Sequence, residues 1–243
     1  MRPRSFKFLL NSKKSFLRKI YFFYNIYLRN FKYLNGGTQF NADTYLHSFF
    51  EKEYKGKFVD LGCFHPTRDN NTFRFYKKNW RGINIDLNPI TIELFNFFRS
   101  DDININCAIS DKKTTKKLYF VDDLSPLNTL DSNHLKFLKS NFLFKNKDFK
   151  EKKIKTENIN NILKKYKFNQ VDFLNIDLEG LEYEVIKSIN FKKFKINLIC
   201  VEILNHNKIS KSKSKKINQI LKKNKFKYLK KIGVNSIFKN ISF

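Results

Sequence analysis

Two regimes of apolar spacing divide the chain. In the first, Leu17, Ile20, Tyr24, Tyr27, Phe31 and Leu34 recur every three or four residues, the interval that gathers side chains on one helical face. Arg18, Lys19, Asn25, Arg29 and Asn30 fall mostly off that face. From about residue 57, short apolar runs alternate with helical stretches. The runs predict strands over 57–62, 81–86, 103–109, 117–121, 171–177, 197–203, 226–232 and 235–239. Between them the spacing predicts helices over 70–79, 89–98, 133–143, 158–166, 180–188 and 210–224. Pro89 suits the first turn of its helix, where a missing N–H costs nothing. Residues 111–157 are less regular and Lys-rich, and no internal repeat is visible.

Strands separated by helical patterns imply right-handed βαβ units, hence an α/β fold with a mostly parallel sheet and helices on both faces. The two closely spaced strands at the end read as an antiparallel hairpin completing that sheet. This divides the chain into a helical extension, 1–35, and a domain, 36–243. Ligands of such sheets bind at the carboxyl ends of the strands, near the point where strand order reverses. Polar residues at those ends are therefore the candidates.

Composition sharpens this picture in three ways. A 41% hydrophobic fraction with 28 Phe among 243 residues excludes a disordered chain in spite of the net charge of +27. Twenty-one of those charges lie in residues 1–35 and 205–243, which contain no acid, leaving only +6 for the centre. Arg is scarce beside Lys, as expected of A/T-biased codons, so part of the basicity belongs to solvated faces and no nucleic-acid partner is expected from it. Cys63, Cys107 and Cys200 are too few and scattered for a disulfide framework or a zinc site, which points to a reducing, cytoplasmic setting. No apolar run is long enough to span a bilayer, and the opening stretch lacks the cleavage site of a secretory signal. Its basic aromatic helix suits an anionic membrane surface, with peripheral attachment. It equally suits a packing face on the domain or on a second subunit of a homo-oligomer.

Each predicted strand end carries polar groups. The first ends in Asp60, Gly62, Cys63 and His65, the second in Asp86, the third in Asn106, Cys107, Ala108 and Asp111. The fourth gives Asn175, Asp177, Glu179 and Gly180, and the fifth Glu202 followed by His206. A glycine straight after a strand permits a tight turn and close backbone approach. A carboxylate some 20 residues later is where a ribose diol is held.

Segments 56–62 (GKFVDLG), 71–86 (NTFRFYKKNWRGINID), 106–111 (NCAISD) and 171–180 (VDFLNIDLEG) together resemble the class I S-adenosylmethionine-dependent methyltransferases, and within them the FkbM-type family. The likeness covers roughly 56–204. It implies a Rossmann-like, seven-stranded sheet. It further implies that Asp60, Gly62 and Cys63 face the amino-acid end of S-adenosylmethionine and that Asp86 holds the ribose. Cys107 and Ala108 would border the adenine, and Asp177 would lie beside the transferred methyl. One departure stands out: Phe64 and Pro66 occupy positions where further glycines are usual.

Methyl transfer to a hydroxyl needs alignment and a general base. Asp177, Glu202 and His206 are the catalytic candidates, with His65 a further possible base. Asp177, Glu179, Glu202 and His206 also offer oxygen-rich ligands for Mg²⁺ if they converge, although no metal is required by the spacing. The resemblance implies O-methylation of a sugar, glycan or related metabolite. Tyr119, Phe120, Phe137, Phe142 and Phe144 of the 111–157 stretch are available to stack on it. The competing readings are an RNA methyltransferase, whose usual motifs after the fourth strand are missing, and a non-catalytic binding protein on the same fold.

Overall fold

The computed structural model describes residues 9–10, 15–38, 41–122, 125–204 and 207–243. In chain order its strands are β1 (Lys57–Leu61), β2 (Arg81–Asp86), β3 (Ile103–Asn106), β4 (Ala108–Ser110), β5 (Thr114–Phe120), β6 (Lys150–Asn158), β7 (Gln170–Ile176), β8 (Lys195–Glu202), β9 (Phe226–Ile232) and β10 (Asn235–Asn240). The α-helices are α1 (Ser15–Phe23), α2 (Ala42–His47), α3 (Phe73–Lys77), α4 (Pro89–Phe98), α5 (Ser132–Ser140), α6 (Ile159–Lys165), α7 (Glu182–Ser188) and α8 (Lys208–Lys223).

Seven strands form the main sheet in the order β3-β2-β1-β7-β8-β10-β9. All pairs are parallel except those made by β10, which runs antiparallel to β8 and β9. Adjacent residues sort to opposite faces, as the pleat requires. Phe58, Phe173 and Leu198 stand in register on one face, packed with Phe75 and Trp80. Their neighbours Val59, Leu174, Ile199 and Phe238 form a register row on the other, packed beneath α6, α7 and α8 by Ile162, Ile186 and Leu221. Burial on both faces explains why β1, β7 and β8 read as continuous apolar runs.

Three elements depart from the sequence pattern. The predicted third strand breaks at Cys107: β3 stays in the main sheet, while β4 joins a second sheet of order β4-β6-β5. Its central strand, β6, has the sequence KEKKIKTEN and is largely exposed, so it carries no apolar signal and is held by backbone pairing. The predicted helix over 70–79 shortens to α3, because Asn70 and Thr72 spend their side chains on buried hydrogen bonds beneath the site.

The N-terminal helix packs on α4, only in part through the face predicted. Tyr21, Phe22 and Ile26 are buried with Leu94, and Leu17 and Leu34 of the expected stripe pack against them, whereas Ile20, Tyr27 and Phe31 are exposed. A π-helical turn over Tyr24–Arg29 follows α1, and its wider winding breaks the 3.6-residue phase. No described helix is long and apolar enough to cross a membrane.

Candidate active site

A cavity of about 570 Å³ opens over the carboxyl ends of β1, β2 and β7, and Asp60, Gly62, Cys63, Asp86, Cys107, Ala108, Asp177 and Glu202 all line it. Eight of the nine candidate residues are thus brought together from positions spread over more than half the chain. The ninth, His206, lies outside the described residues.

The first strand end is stitched to its neighbours. Gly62 N–H donates to Ile85 O at 2.9 Å, and Asp177 N–H donates to Leu61 O at 2.9 Å. Gly62 has φ +79°, and a Cβ there would lie 1.7 Å from the carbonyl oxygen of Asp177. The glycine therefore serves the close approach of two protein loops, beyond any approach to a ligand.

Asp60 is fully buried and its carboxylate is committed to the protein. Oδ1 accepts from Asn175 Nδ2 at 2.8 Å, and Oδ2 accepts from Asn70 Nδ2 at 3.0 Å and Thr72 Oγ1 at 2.9 Å. Arg99, also fully buried, donates to Asn70 Oδ1 and Thr72 Oγ1 and pairs with Asp102 at 2.9 Å. Burial raises the Asp60 pKa, and the donors and the Arg99 charge oppose the rise. Asp60 thereby organises the cavity floor, and Asn175 passes the order on to Asn71, whose Nδ2 donates to Asn175 Oδ1 at 3.0 Å.

Asp86 is held differently. Each oxygen accepts a single backbone N–H, Oδ2 from Phe64 at 3.0 Å and Oδ1 from Asn88 at 2.8 Å. A carboxylate has room for about four donors, so acceptor capacity remains. Burial pushes its pKa up to about 6, against the two backbone donors.

The acidic corner belongs to β7, β8 and α7. One carboxylate oxygen each from Asp177, Glu182 and Glu202 lies within 4.8 Å of the others. Glu182 Oε1 caps the preceding loop, accepting from Leu178 N–H at 2.9 Å and Gly180 N–H at 3.1 Å. Asp177 and Glu202 are hydrogen-bonded to each other, and burial first, then the surrounding carboxylates, push both well above the ordinary range. Two such groups titrate as a pair that shares one proton. The loop beneath them is pinned by Thr129 Oγ1 donating to Glu179 O at 2.7 Å and Lys213 Nζ donating to Gly180 O at 2.8 Å. His134 Nε2 sits 3.0 Å from Glu179 Oε2.

His65 is no base. It is buried, its Nδ1 accepts from the N–H groups of Thr67 and Arg68, and its Nε2 lies 2.8 Å from Asn25 Oδ1. Burial, with help from the Arg68 and Arg29 charges, lowers its pKa to about 3. It is a neutral anchor between the N-terminal segment and the loop after β1. The five aromatics expected from 111–157 do not line the cavity; Ser125, Pro126, Asn128 and Leu130 of that stretch do. Residues missed by sequence reasoning include Tyr33, Thr38, Arg68, Asn70, Asn71 and Asn88. Asparagines give no contrast in a chain so rich in them, and Tyr33 and Thr38 come from the N-terminal region, away from any strand end.

The parallel sheet of this order, with a hairpin at one edge and an acid-lined cavity over the switch point, is the architecture implied by the likeness to class I methyltransferases. Residues 49–228 match the Methyltransferase FkbM domain, and the chain belongs to that family. Among solved structures it is similar to the fibrillarin pre-rRNA processing protein of Methanococcus jannaschii, with 14% identity, a TM-score of 0.39, and coverage of 78% of this chain and 68% of that one. No curated protein matches the sequence.

Proposed function

We propose that this methyltransferase methylates a hydroxyl of a sugar, glycan or related metabolite, with the Asp177–Glu202 pair as general base. The observation that carries this reading is the pair itself. Two half-buried, hydrogen-bonded carboxylates on the cavity wall take up a proton far more readily near neutral pH than an ordinary carboxylate. The polar wall beside them, with Asn71, Asn175 and Asn235, suits a polyhydroxylated acceptor better than an apolar one.

The residues present fit S-adenosylmethionine. Asp86 keeps free acceptor sites for two vicinal hydroxyls. Ile85, Leu87, Ala108 and Ile109 give an apolar slot for a base. In a chain of net charge +27 the described cavity wall holds Asp60, Asp69, Asp86, Asp177, Glu179 and Glu202 against Arg68 alone. This local inversion of sign favours a sulfonium. Arg68, with its guanidinium 4.8 Å above the Phe64 ring, would take the carboxylate of the methionine part. When bound, the cofactor supplies an electrophilic methyl. The carboxylate pair would receive the proton that the acceptor hydroxyl gives up as it is methylated.

Asp86 gives the reading a pH signature. The ionised form is the one that accepts from ribose hydroxyls. With its pKa at about 6 in the fold against roughly 3.9 unfolded, the folded chain holds an extra proton between those values. This group's contribution to stability therefore shrinks as pH rises through that window. Cofactor binding must expel the proton, so affinity should weaken about tenfold per pH unit below pH 6 in calorimetric titrations. Asp86→Asn should flatten this dependence. An unchanged pH profile in that variant would move the ribose elsewhere.

The acceptor is tested by transfer of labelled methyl to nucleotide sugars, free glycans and RNA, each with and without a chelator. Labelling of a sugar hydroxyl is the expected result. Labelling confined to RNA would overturn the proposal in favour of the competing enzyme.

A further inference from the structure

We propose that the outward face of α1 and of the turns after it seats the enzyme on an anionic lipid bilayer. Phe16, Ile20, Phe23 and Tyr27 are spaced by four, three and four residues, and Leu28 and Phe31 continue the patch. Their side chains stand in the open: Phe16 is 70% exposed, Phe31 66%, Leu28 59% and Phe23 52%. The rings of Phe23 and Tyr27 touch, with centroids 4.9 Å apart. The helix has already satisfied its need for a packing face, because Tyr21, Phe22 and Ile26 are buried against α4. An apolar face left over after docking, and this large, marks a contact with something outside the chain.

Charge selects the occupant. Lys19, Arg29 and Lys32 are exposed along the same segment, and residues 1–35 contain nine basic residues and no acid. The one described ion pair of the segment turns Arg18 toward Glu93 of α4, away from any partner. A second copy presenting the same face would bring like charges together. An anionic bilayer instead meets the cations at its headgroups and takes the aromatic rings at the acyl boundary. The seat is also joined to the site. Asn25, on the inward side of the π-helical turn, accepts from His65 Nε2 and is itself held by Asn30 just after the turn, and the His65 ring accepts from the backbone of Thr67 and Arg68. Tyr33 and Thr38, a few residues on, line the cavity. The inference rests on this surface and stands apart from the choice of acceptor.

The test is co-sedimentation of the full chain with vesicles of phosphatidylcholine alone and of phosphatidylcholine with about 30% phosphatidylglycerol. Partition at least about tenfold greater onto the anionic vesicles is expected. The triple variant Phe16→Ser, Phe23→Ser, Phe31→Ser should lose it. Lys19→Glu, Lys32→Glu should lose the preference for anionic lipid. All five side chains are exposed, so cofactor affinity should not change and reports that the fold is kept. Should either variant misfold, loss of vesicle binding by the native chain at about 0.5 M salt carries the test. Equal partition onto both vesicle types, or full binding by the triple-serine variant, would overturn the proposal. So would a dimer of the native chain that the serines dissociate, with no vesicle binding.

Discussion

Asp177→Asn should lower kcat by about a thousandfold while changing cofactor affinity little. Glu202→Gln should approach the same loss, and the double variant should be scarcely worse than either single one, because residues that share one proton act as a unit. Asp177 and Glu202 are hydrogen-bonded in a half-buried corner that the buried Glu182 also enters, and desolvation with neighbouring negative charge lifts both pKa values. The base must be ionised to accept a proton, so activity should fall as pH drops through the pair's raised pKa. That acid limb lies closer to neutrality than an isolated carboxylate would place it. In Glu202→Gln the residual activity should show the limb displaced to lower pH, since the charge that raised Asp177 has gone. A pH–rate profile of each variant reads this directly. An unmoved limb would assign the pair a structural role and the base elsewhere.

How much of this was legible beforehand depends on what each residue type contrasts with. The sheet was legible because β1, β7 and β8 are buried on both faces and spell unbroken apolar runs. Their polar termini, Asp60, Asp177 and Glu202, stand out against those runs. β6 was illegible for the opposite reason. It is central to its small sheet, yet its side chains are mostly exposed lysines and glutamates, and backbone pairing leaves no mark on composition. The packing face of α1 was located only in part, through Leu17 and Leu34, because spacing alone cannot tell an inward apolar stripe from an outward one when both exist. Arg99, just past the end of α4, carries no mark of its role in the sequence, yet it is fully buried among Phe58, Tyr76 and Phe95. There it supports the donors that hold Asp60. His65 could be placed in a turn, but its neutrality depends on Asn25, 40 residues away. Local pattern located the strand ends; long-range hydrogen bonds decided which polar groups were left free to act.

Gly62→Ala should cost about 3 to 5 kcal/mol and most of the activity together. Two penalties combine at this position, and a second glycine separates them. Gly62 has φ +79°, where an L residue pays roughly 1 to 2 kcal/mol. Phe64, Asp69 and Glu179 nearby hold positive φ without being glycine, so that strain alone is tolerable in this fold. The larger penalty is the collision, since the new Cβ would lie 1.7 Å from a backbone oxygen of Asp177. A backbone atom cannot swing aside like a side-chain tip. The β7 end must retreat, and the 2.9 Å hydrogen bond from Asp177 N–H to Leu61 O is strained or lost with it. Gly37, at φ +113°, has nothing within 4 Å of its imagined Cβ, so Gly37→Ala pays the conformational penalty alone. In thermal unfolding Gly62→Ala should lower Tm by roughly 6 to 15 °C and Gly37→Ala by about 2 to 5 °C. Only the former should also depress kcat, because it moves Asp177, the carboxylate proposed to accept the proton. Equal effects at the two glycines would mean that backbone strain accounts for both and that β1 and β7 do not meet as closely as described.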